Sequence, residues 1–132
     1  MMKARYLAVV VGALVAGASF VVPSASAAPP PAKVKPDMKK ATEIYTQRCA
    51  TCHGATGVGD GPAAAALNPK PRNFKDPAWQ KSVTDEHIEK IIAQGGPAVG
   101  KSPLMPPNPD LANDKAVLAG LRQYIRDLPK KK

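Results

Sequence analysis

The sequence predicts a small all-α domain. Three segments repeat apolar residues at helical spacing, and no segment alternates apolar and polar residues for long. Glycine and proline interrupt the chain between these segments. We therefore expect three main helices, a few short helices and much irregular loop.

Residues 1–27 are typical of a secretory signal peptide. Lys3 and Arg5 form a basic start, residues 7–22 form an apolar run, and Ala-Ser-Ala ends the segment. An uncleaved membrane anchor is the alternative, but the run is shorter than the ~20 apolar residues of a spanning helix. We expect cleavage before Ala28, export to the periplasm and no stable membrane insertion afterwards.

The main domain is expected over residues 38–128. Residues 28–37 before it are rich in proline and lack periodicity, so we expect an extended lead-in. Asp37 is placed to cap the first helix, whose apolar positions are Ala41, Ile44, Tyr45 and Cys49. Closely spaced glycines then turn the chain into a loop, and residues 63–67 are expected to form a short helix.

A second main helix is predicted after a proline-punctuated crossing at residues 68–77. Thr84 is a good N-cap, because its hydroxyl can accept from the first backbone N–H groups. Gly95 and Gly96 end this helix. The following residues, 97–110, contain five prolines and predict a constrained irregular loop.

The last helix is predicted to begin at Asn113 as its cap. Its apolar positions form a broad stripe that ends at Leu128, and Pro129 stops it. Residues 129–132 then form a basic, solvated tail.

The chain is basic, with 19 Lys and Arg against 10 Asp and Glu. Loss of Lys3 and Arg5 with the signal leaves 17 against 10. A basic exported domain suits a partner with an acidic surface. Nucleic acid is not expected, because export removes the chain from it and no basic motif interleaved with aromatics is present.

The only two cysteines, Cys49 and Cys52, are followed directly by His53. A disulfide is one reading of a thiol pair in an exported protein, although so small a loop would add little stability. A thioredoxin-type site would need a βαβ context, and a zinc site would need further ligands. The C-x-x-C-H pattern instead indicates covalent haem c, with two thioether links and the imidazole as an axial ligand.

The sequence resembles the class I monohaem c-type cytochromes over most of residues 38–128. The resemblance rests on CATCHG, GVGDGPAA, KSPLMPP and LRQYIRDL. It implies a helical globule around one haem, in which the first and last helices cross. In that crossing the resemblance pairs Ala41 and Tyr45 with Leu121 and Tyr124. Alanine stands where relatives often have glycine, so a slightly wider crossing is expected.

The resemblance also implies a sixth ligand and an orienting group. Met105, in the proline-rich loop, matches the family's distal methionine, and the other reading is a flexible core filler. His87 is the rival ligand, but it lies in the first turn of a helix. The carbonyl of Pro62 matches the family's acceptor for the proximal imidazole. Trp79 either packs on the haem or is simply buried in the core.

An iron held from both sides has no open position for a substrate, which favours electron transfer over catalysis. We therefore expect a monomeric electron carrier and not an enzyme. Basic residues of the two loops would steer it to redox partners with an acidic docking surface: Lys70, Arg72, Lys75, Lys81 and Lys101. The alternatives are the haem subunit of a larger complex, or a protein that binds gas or peroxide after loss of Met105.

Overall fold

A computed structural model describes residues 34–131, so the predicted signal peptide and most of the lead-in lie outside the described residues. The regular elements of residues 34–131 are all helical, which confirms the predicted fold class. The α-helices are α1 (Met38–Ile44), α2 (Ala50–His53), α3 (Pro77–Ser82), α4 (Asp85–Gln94), α5 (Pro109–Asn113) and α6 (Lys115–Asp127). Three 3₁₀ turns lie at Ala64–Ala66, Pro97–Val99 and Leu128–Lys130.

The first predicted helix is continuous from α1 to α2 through a π-helical turn at Tyr45–Cys49. In this turn the Ala50 N–H donates to the carbonyl of Tyr45, five residues earlier. At the start of α1 the Asp37 side chain accepts from the Lys40 N–H at 3.0 Å, as the capping pattern predicts. The helix therefore carries the whole cysteine motif to its C-terminal end.

α1 crosses α6 at very short range. Ala41 is fully buried, and a Cβ built on Gly120 of α6 would lie 2.8 Å from the Ala41 Cβ and 2.5 Å from the Asp37 carbonyl oxygen. The missing side chain of Gly120 therefore makes room for the close approach of α1 to α6, which the alanine at position 41 would otherwise hinder. The predicted contact between Tyr45 and Tyr124 is confirmed, because their rings lie 4.4 Å apart between centroids. Predicted Leu121 is buried in the same core.

The predicted boundary signals of α4 are confirmed. The Thr84 hydroxyl accepts from the His87 N–H at 3.1 Å, and Gly95 ends the helix at a φ of 79°. The predicted cap of the last helix is wrong. Asn113 ends α5, and the Asp114 side chain accepts from the Val117 N–H at 3.1 Å, because the kink between α5 and α6 falls one residue later.

Two short helices begin at the ends of the segments for which we predicted loop. α3 begins after Asp76, whose side chain accepts from the Ala78 and Trp79 N–H groups, and Pro77 holds its first position. α5 also begins with a proline, Pro109, inside the loop predicted over 97–110, but its N-cap Asn108 makes no side-chain hydrogen bond to the helix. Both helices shorten the loops that border the site described below.

Ion pairs and hydrogen bonds join α6 to α3 and α4. The Arg126 guanidinium donates to the Asp85 carboxylate at 2.9 Å, to the Gln80 carbonyl at 2.7 Å and to the Val83 carbonyl at 2.8 Å. Arg122 also pairs with Asp85. Partial burial would raise the pKa of Asp85, but the hydrogen bonds and charges of the two guanidinium groups hold it below its ordinary value.

Within residues 34–131, the helices are all too short or too polar to cross a membrane.

Candidate haem site

The cysteine motif lies on the last turns of the first helix. Cys49 ends the π turn, Cys52 lies in α2, and His53 is the last residue of α2. Both thiols are free and half-buried, so the disulfide reading is wrong for this structure. Burial raises the pKa of Cys49 to about 11, while the neighbouring Arg48 charge opposes that shift. Among the described residues no three His, Cys, Asp or Glu side chains form a group that could hold a metal ion.

The glycine-rich loop behind the motif caps the end of α2. A helix leaves its last four carbonyls without helical partners. In α2 each of these carbonyls, at residues 50–53, accepts from a backbone N–H of residues 54–63. The donors are, in the same order, Gly54, Ala63, Gly61 and Gly59, at 2.9, 3.0, 3.2 and 2.8 Å. The loop therefore folds back along the turn that carries the two thiols and fixes its backbone.

Two of these glycines are required by close approach. A Cβ on Gly61 would collide with the carbonyl oxygens of Ala50 and Thr51, so any side chain would push the loop away from α2. Gly59 has a φ of 86°, and its Cβ would collide with the carbonyl oxygen of Pro71. The pattern GVGDG thus has a structural reason beyond a simple turn.

The hydroxyl of Tyr45 connects the core to this loop. Tyr45 is 1% exposed, and its hydroxyl donates to the Gly54 carbonyl at 2.9 Å. Burial raises the pKa of Tyr45, so the hydroxyl stays protonated as a donor. Gly54 directly follows His53, so this hydrogen bond holds the backbone next to the imidazole.

The His53 ring is held by two residues of the segment before α3. Its Nδ1 lies 3.2 Å from the carbonyl oxygen of Arg72. Its face stacks on the Phe74 ring, with centroids 4.4 Å apart and planes 17° from parallel. Burial lowers the pKa of His53, and the hydrogen bond to Arg72 partly offsets this. The neutral imidazole is the form that binds a metal.

The assignment of Pro62 as the partner of His53 is wrong in this structure, because Nδ1 faces Arg72. The backbone next to Pro62 bonds elsewhere. Gly61 donates to the Cys52 carbonyl and Ala63 to the Thr51 carbonyl, which holds this part of the loop along α2. Pro62 itself is exposed.

Trp79 is half-buried and packs against the core. Its ring lies 5.4 Å from that of Phe74, centroid to centroid, at an angle of 35°. These contacts agree with the core reading of Trp79, and a role on the haem stays a prediction. They also make Trp79 the outer member of a row of three rings that begins at His53.

Haem c fits the residues present. Covalent attachment needs two free thiols at C-x-x-C spacing and a histidine beside them. Cys49 and Cys52 are free, and the backbone contact at Nδ1 leaves Nε2 of His53 available to iron.

The family described as cytochrome C oxidase, cbb3-type, subunit III matches residues 36–125. The chain belongs to this family. A solved structure, that of the KustC0563 c-type cytochrome, is 30% identical and has a TM-score of 0.53, and the match covers 67% of this chain and 95% of that one. No match was found among the curated proteins. The resemblance to class I c-type cytochromes is confirmed, and with it the class of haem electron-transfer protein.

The predicted sixth ligand of this cytochrome lies in a loop fixed to α4. Met105 is half-buried, and its carbonyl accepts from the Gly96 N–H at 2.9 Å. Further along, Asn108 donates from its backbone to the Ala93 carbonyl and from its side chain to the Ile92 carbonyl. The rival His87 lies in the first turn of α4, as expected. The ligation by Met105 stays a prediction.

The five basic residues predicted to steer the cytochrome divide into two groups. Three are engaged within the chain: Lys70 donates to carbonyls of the turn at Ala64–Ala66, Arg72 pairs with Asp76 at 3.6 Å, and Lys75 donates to the Lys131 carbonyl. Lys81 and Lys101 are exposed and have no side-chain partner among residues 34–131.

The sequence analysis did not predict the two residues that contact the His53 ring, Arg72 and Phe74. The acceptor for His53 is a backbone carbonyl, which any residue could supply, so Arg72 carries no sequence signal. Phe74 does carry one, because it is the only aromatic residue between the motif and Trp79. In a chain with so few aromatics, Phe74 was therefore a candidate for contact with His53.

Proposed function

We propose that this c-type cytochrome is an exported, periplasmic carrier of single electrons. Cys49 and Cys52 would bind one haem c covalently, and His53 and Met105 would be its axial ligands. The observation that carries the proposal is the free, half-buried thiol pair beside a histidine whose Nδ1 already contacts a backbone carbonyl.

The protein residues have separate roles. The two thiols anchor the cofactor, so that it is not lost after export. The Arg72 carbonyl fixes the tautomer of His53 with the proton on Nδ1, which makes Nε2 the metal-binding nitrogen. When bound, haem supplies an iron that takes up or releases one electron. The thioether of Met105 would favour the reduced iron and raise the potential. Ligation by both His53 and Met105 would leave the iron no position for a substrate, which is why we propose a carrier and not an enzyme.

The cofactor assignment is tested by mass spectrometry of the mature protein, expressed with a haem-attachment system. We expect the mass of residues 28–132 plus one haem, and we expect Cys49→Ala and Cys52→Ala each to reduce covalent attachment. A mature protein with the mass of the bare polypeptide would refute the proposal.

The axial role of Met105 is tested with Met105→Ala and with Met38→Ala as a matched control. Met38 begins α1 and is 37% exposed, so its loss should leave the iron unchanged. The oxidised Met105→Ala protein should lose the sulfur-to-iron charge-transfer band, and its reduced form should bind carbon monoxide. Ready binding of carbon monoxide by the unaltered protein at neutral pH would favour the gas-binding alternative with a labile Met105.

Lys81 and Lys101 are the best placed residues to steer an acidic redox partner, because their charges are free of contacts within residues 34–131. Lys81→Glu and Lys101→Glu should slow oxidation by the anion ferricyanide at low ionic strength, and salt should remove the difference. Lys70→Glu is the control, since Lys70 already caps two carbonyls. Equal effects at all three positions would argue for net charge alone.

A second candidate is the haem subunit of a larger oxidoreductase. The family description, which names a subunit of a cbb3-type oxidase, favours it. Size measurement and co-purification from native membranes and periplasm distinguish the two. A free monomer in the periplasmic fraction supports the carrier, whereas recovery in a membrane complex supports the subunit.

A further inference from the structure

We propose that Phe74 is a positioning residue that sets the plane of the His53 imidazole, an inference that depends on His53 being the iron ligand as proposed above. The two rings are nearly parallel at 17° and 4.4 Å apart, so rotation of the imidazole about its own axis would drive its edge into the Phe74 ring. The Nδ1 contact to Arg72 fixes one atom of the imidazole, and the stacked ring restricts rotation about that contact.

Phe74 is itself held from several sides. It is 7% exposed, and its N–H donates to the Gly57 carbonyl at 2.7 Å. Its carbonyl accepts from the Gln80 side chain at 2.7 Å. The Trp79 ring lies 5.4 Å from the Phe74 ring between centroids. A buried side chain whose backbone is hydrogen-bonded and whose ring contacts two other rings has little freedom to follow a turning imidazole.

The same contacts connect the imidazole to the last helix. The Gln80 amide that holds Phe74 also donates to the Ile125 carbonyl at 3.1 Å. Arg126 donates to both the carbonyl and the side-chain oxygen of Gln80. The path from α6 through Gln80 and Phe74 therefore reaches His53 without passing through the cysteine motif. α6 thereby helps to fix the ligand as well as to cover the core.

The orientation of an axial imidazole determines how unpaired spin is distributed over the four haem methyl groups of the oxidised iron. The test is NMR of the holoprotein with Phe74→Leu, which removes the flat ring but keeps an apolar side chain. We expect a changed order or spread of the methyl shifts, and a shift in reduction potential. Val117→Ala, a buried change at the start of α6, is the matched control and should leave the methyl pattern as in the unaltered protein.

A second measurement needs no variant. The reduced, diamagnetic holoprotein should give cross-peaks between ring protons of Phe74 and His53, and their absence would overturn the inference even if Phe74→Leu fails to fold. An unchanged methyl pattern in folded Phe74→Leu, with haem bound, would overturn this inference alone. A protein that carries no covalent haem would overturn the proposed function together with it.

Discussion

Tyr45 and Tyr124 offer a direct test of how the core supports the haem motif. The two rings lie 4.4 Å apart between centroids at an angle of 34°, and both side chains are under 10% exposed. Only Tyr45 uses its hydroxyl within residues 34–131, to donate to the Gly54 carbonyl. Tyr45→Phe and Tyr124→Phe therefore remove the same atom from neighbouring rings, but only the first breaks a hydrogen bond.

The expected cost follows from what the Gly54 carbonyl retains. It also accepts from the Gly57 N–H at 3.2 Å, so Tyr45→Phe does not leave it without a donor. The loss should then be near the net value of one hydrogen bond, about 1 kcal/mol, and not the larger penalty of an orphaned buried group. In a domain of this size that corresponds to a fall in Tm of about 4–8 °C. Tyr124→Phe should lie within about 0.5 kcal/mol of the unaltered protein.

Urea unfolding followed by circular dichroism measures both free energies of unfolding. The difference caused by Tyr45→Phe should be constant at neutral pH and shrink above pH 10, the ordinary pKa of tyrosine. Burial raises the pKa of Tyr45, so the contribution of its hydroxyl to stability is complete below pH 10. That contribution is lost as the pH rises through the pKa of Tyr45 in the folded protein. Equal losses in the two variants, or a loss only in Tyr124→Phe, would refute the reasoning.

Three further outcomes are expected. Gly120→Ala should destabilise the protein by about 1–3 kcal/mol despite the better helix propensity of alanine, because the new Cβ would collide with Ala41 and the Asp37 carbonyl. Adding Ala41→Gly should restore part of this loss, measured by the same urea titrations. Asp85→Asn should lower stability at neutral pH and make stability less dependent on pH in acid. The lowered pKa of Asp85 stabilises the fold above pH 3.8, and this stability is lost as the pH falls through the pKa of the folded protein. A loss of stability in acid as steep as in the unaltered protein would contradict this. Gly61→Ala should displace the loop from α2 and so reduce covalent haem loading, measured as the ratio of haem absorbance to protein. Full loading would show that attachment does not depend on the position of the loop.

The start of α4 was predicted correctly and the start of α6 was not. Thr84 is followed by Asp85 and Glu86, which are acids that the first turn of a helix favours, so the start of α4 was readable. Asn113 and Asp114 are adjacent and both are good caps, so local chemistry does not choose between them, and the packing of α5 decides. α3 had a readable signal, since Asp76 followed by Pro77 is an N-cap with proline in the first position, but the three prolines of residues 68–77 favoured a loop reading.

The candidate site divides in the same way. The thiols and His53 follow from spacing, because covalent chemistry fixes the residue types and their order. The acceptor at Arg72 and the donors of the loop are backbone groups, which depend on how the chain returns in space. Gly120 gave no signal, because an isolated glycine in an amphipathic stretch is read first as a small loss of helix propensity and not as a contact.

The cap that residues 54–63 place on α2 is made of neighbours in the chain, since its donors lie only four to twelve residues from their acceptors. Contacts of such short sequence separation close at little entropic cost and form fast. We expect the thiol-bearing turn to reach its final backbone shape early in folding, while α6 is still distant. Attachment chemistry acting on a newly exported chain would then meet a turn already shaped by its own loop.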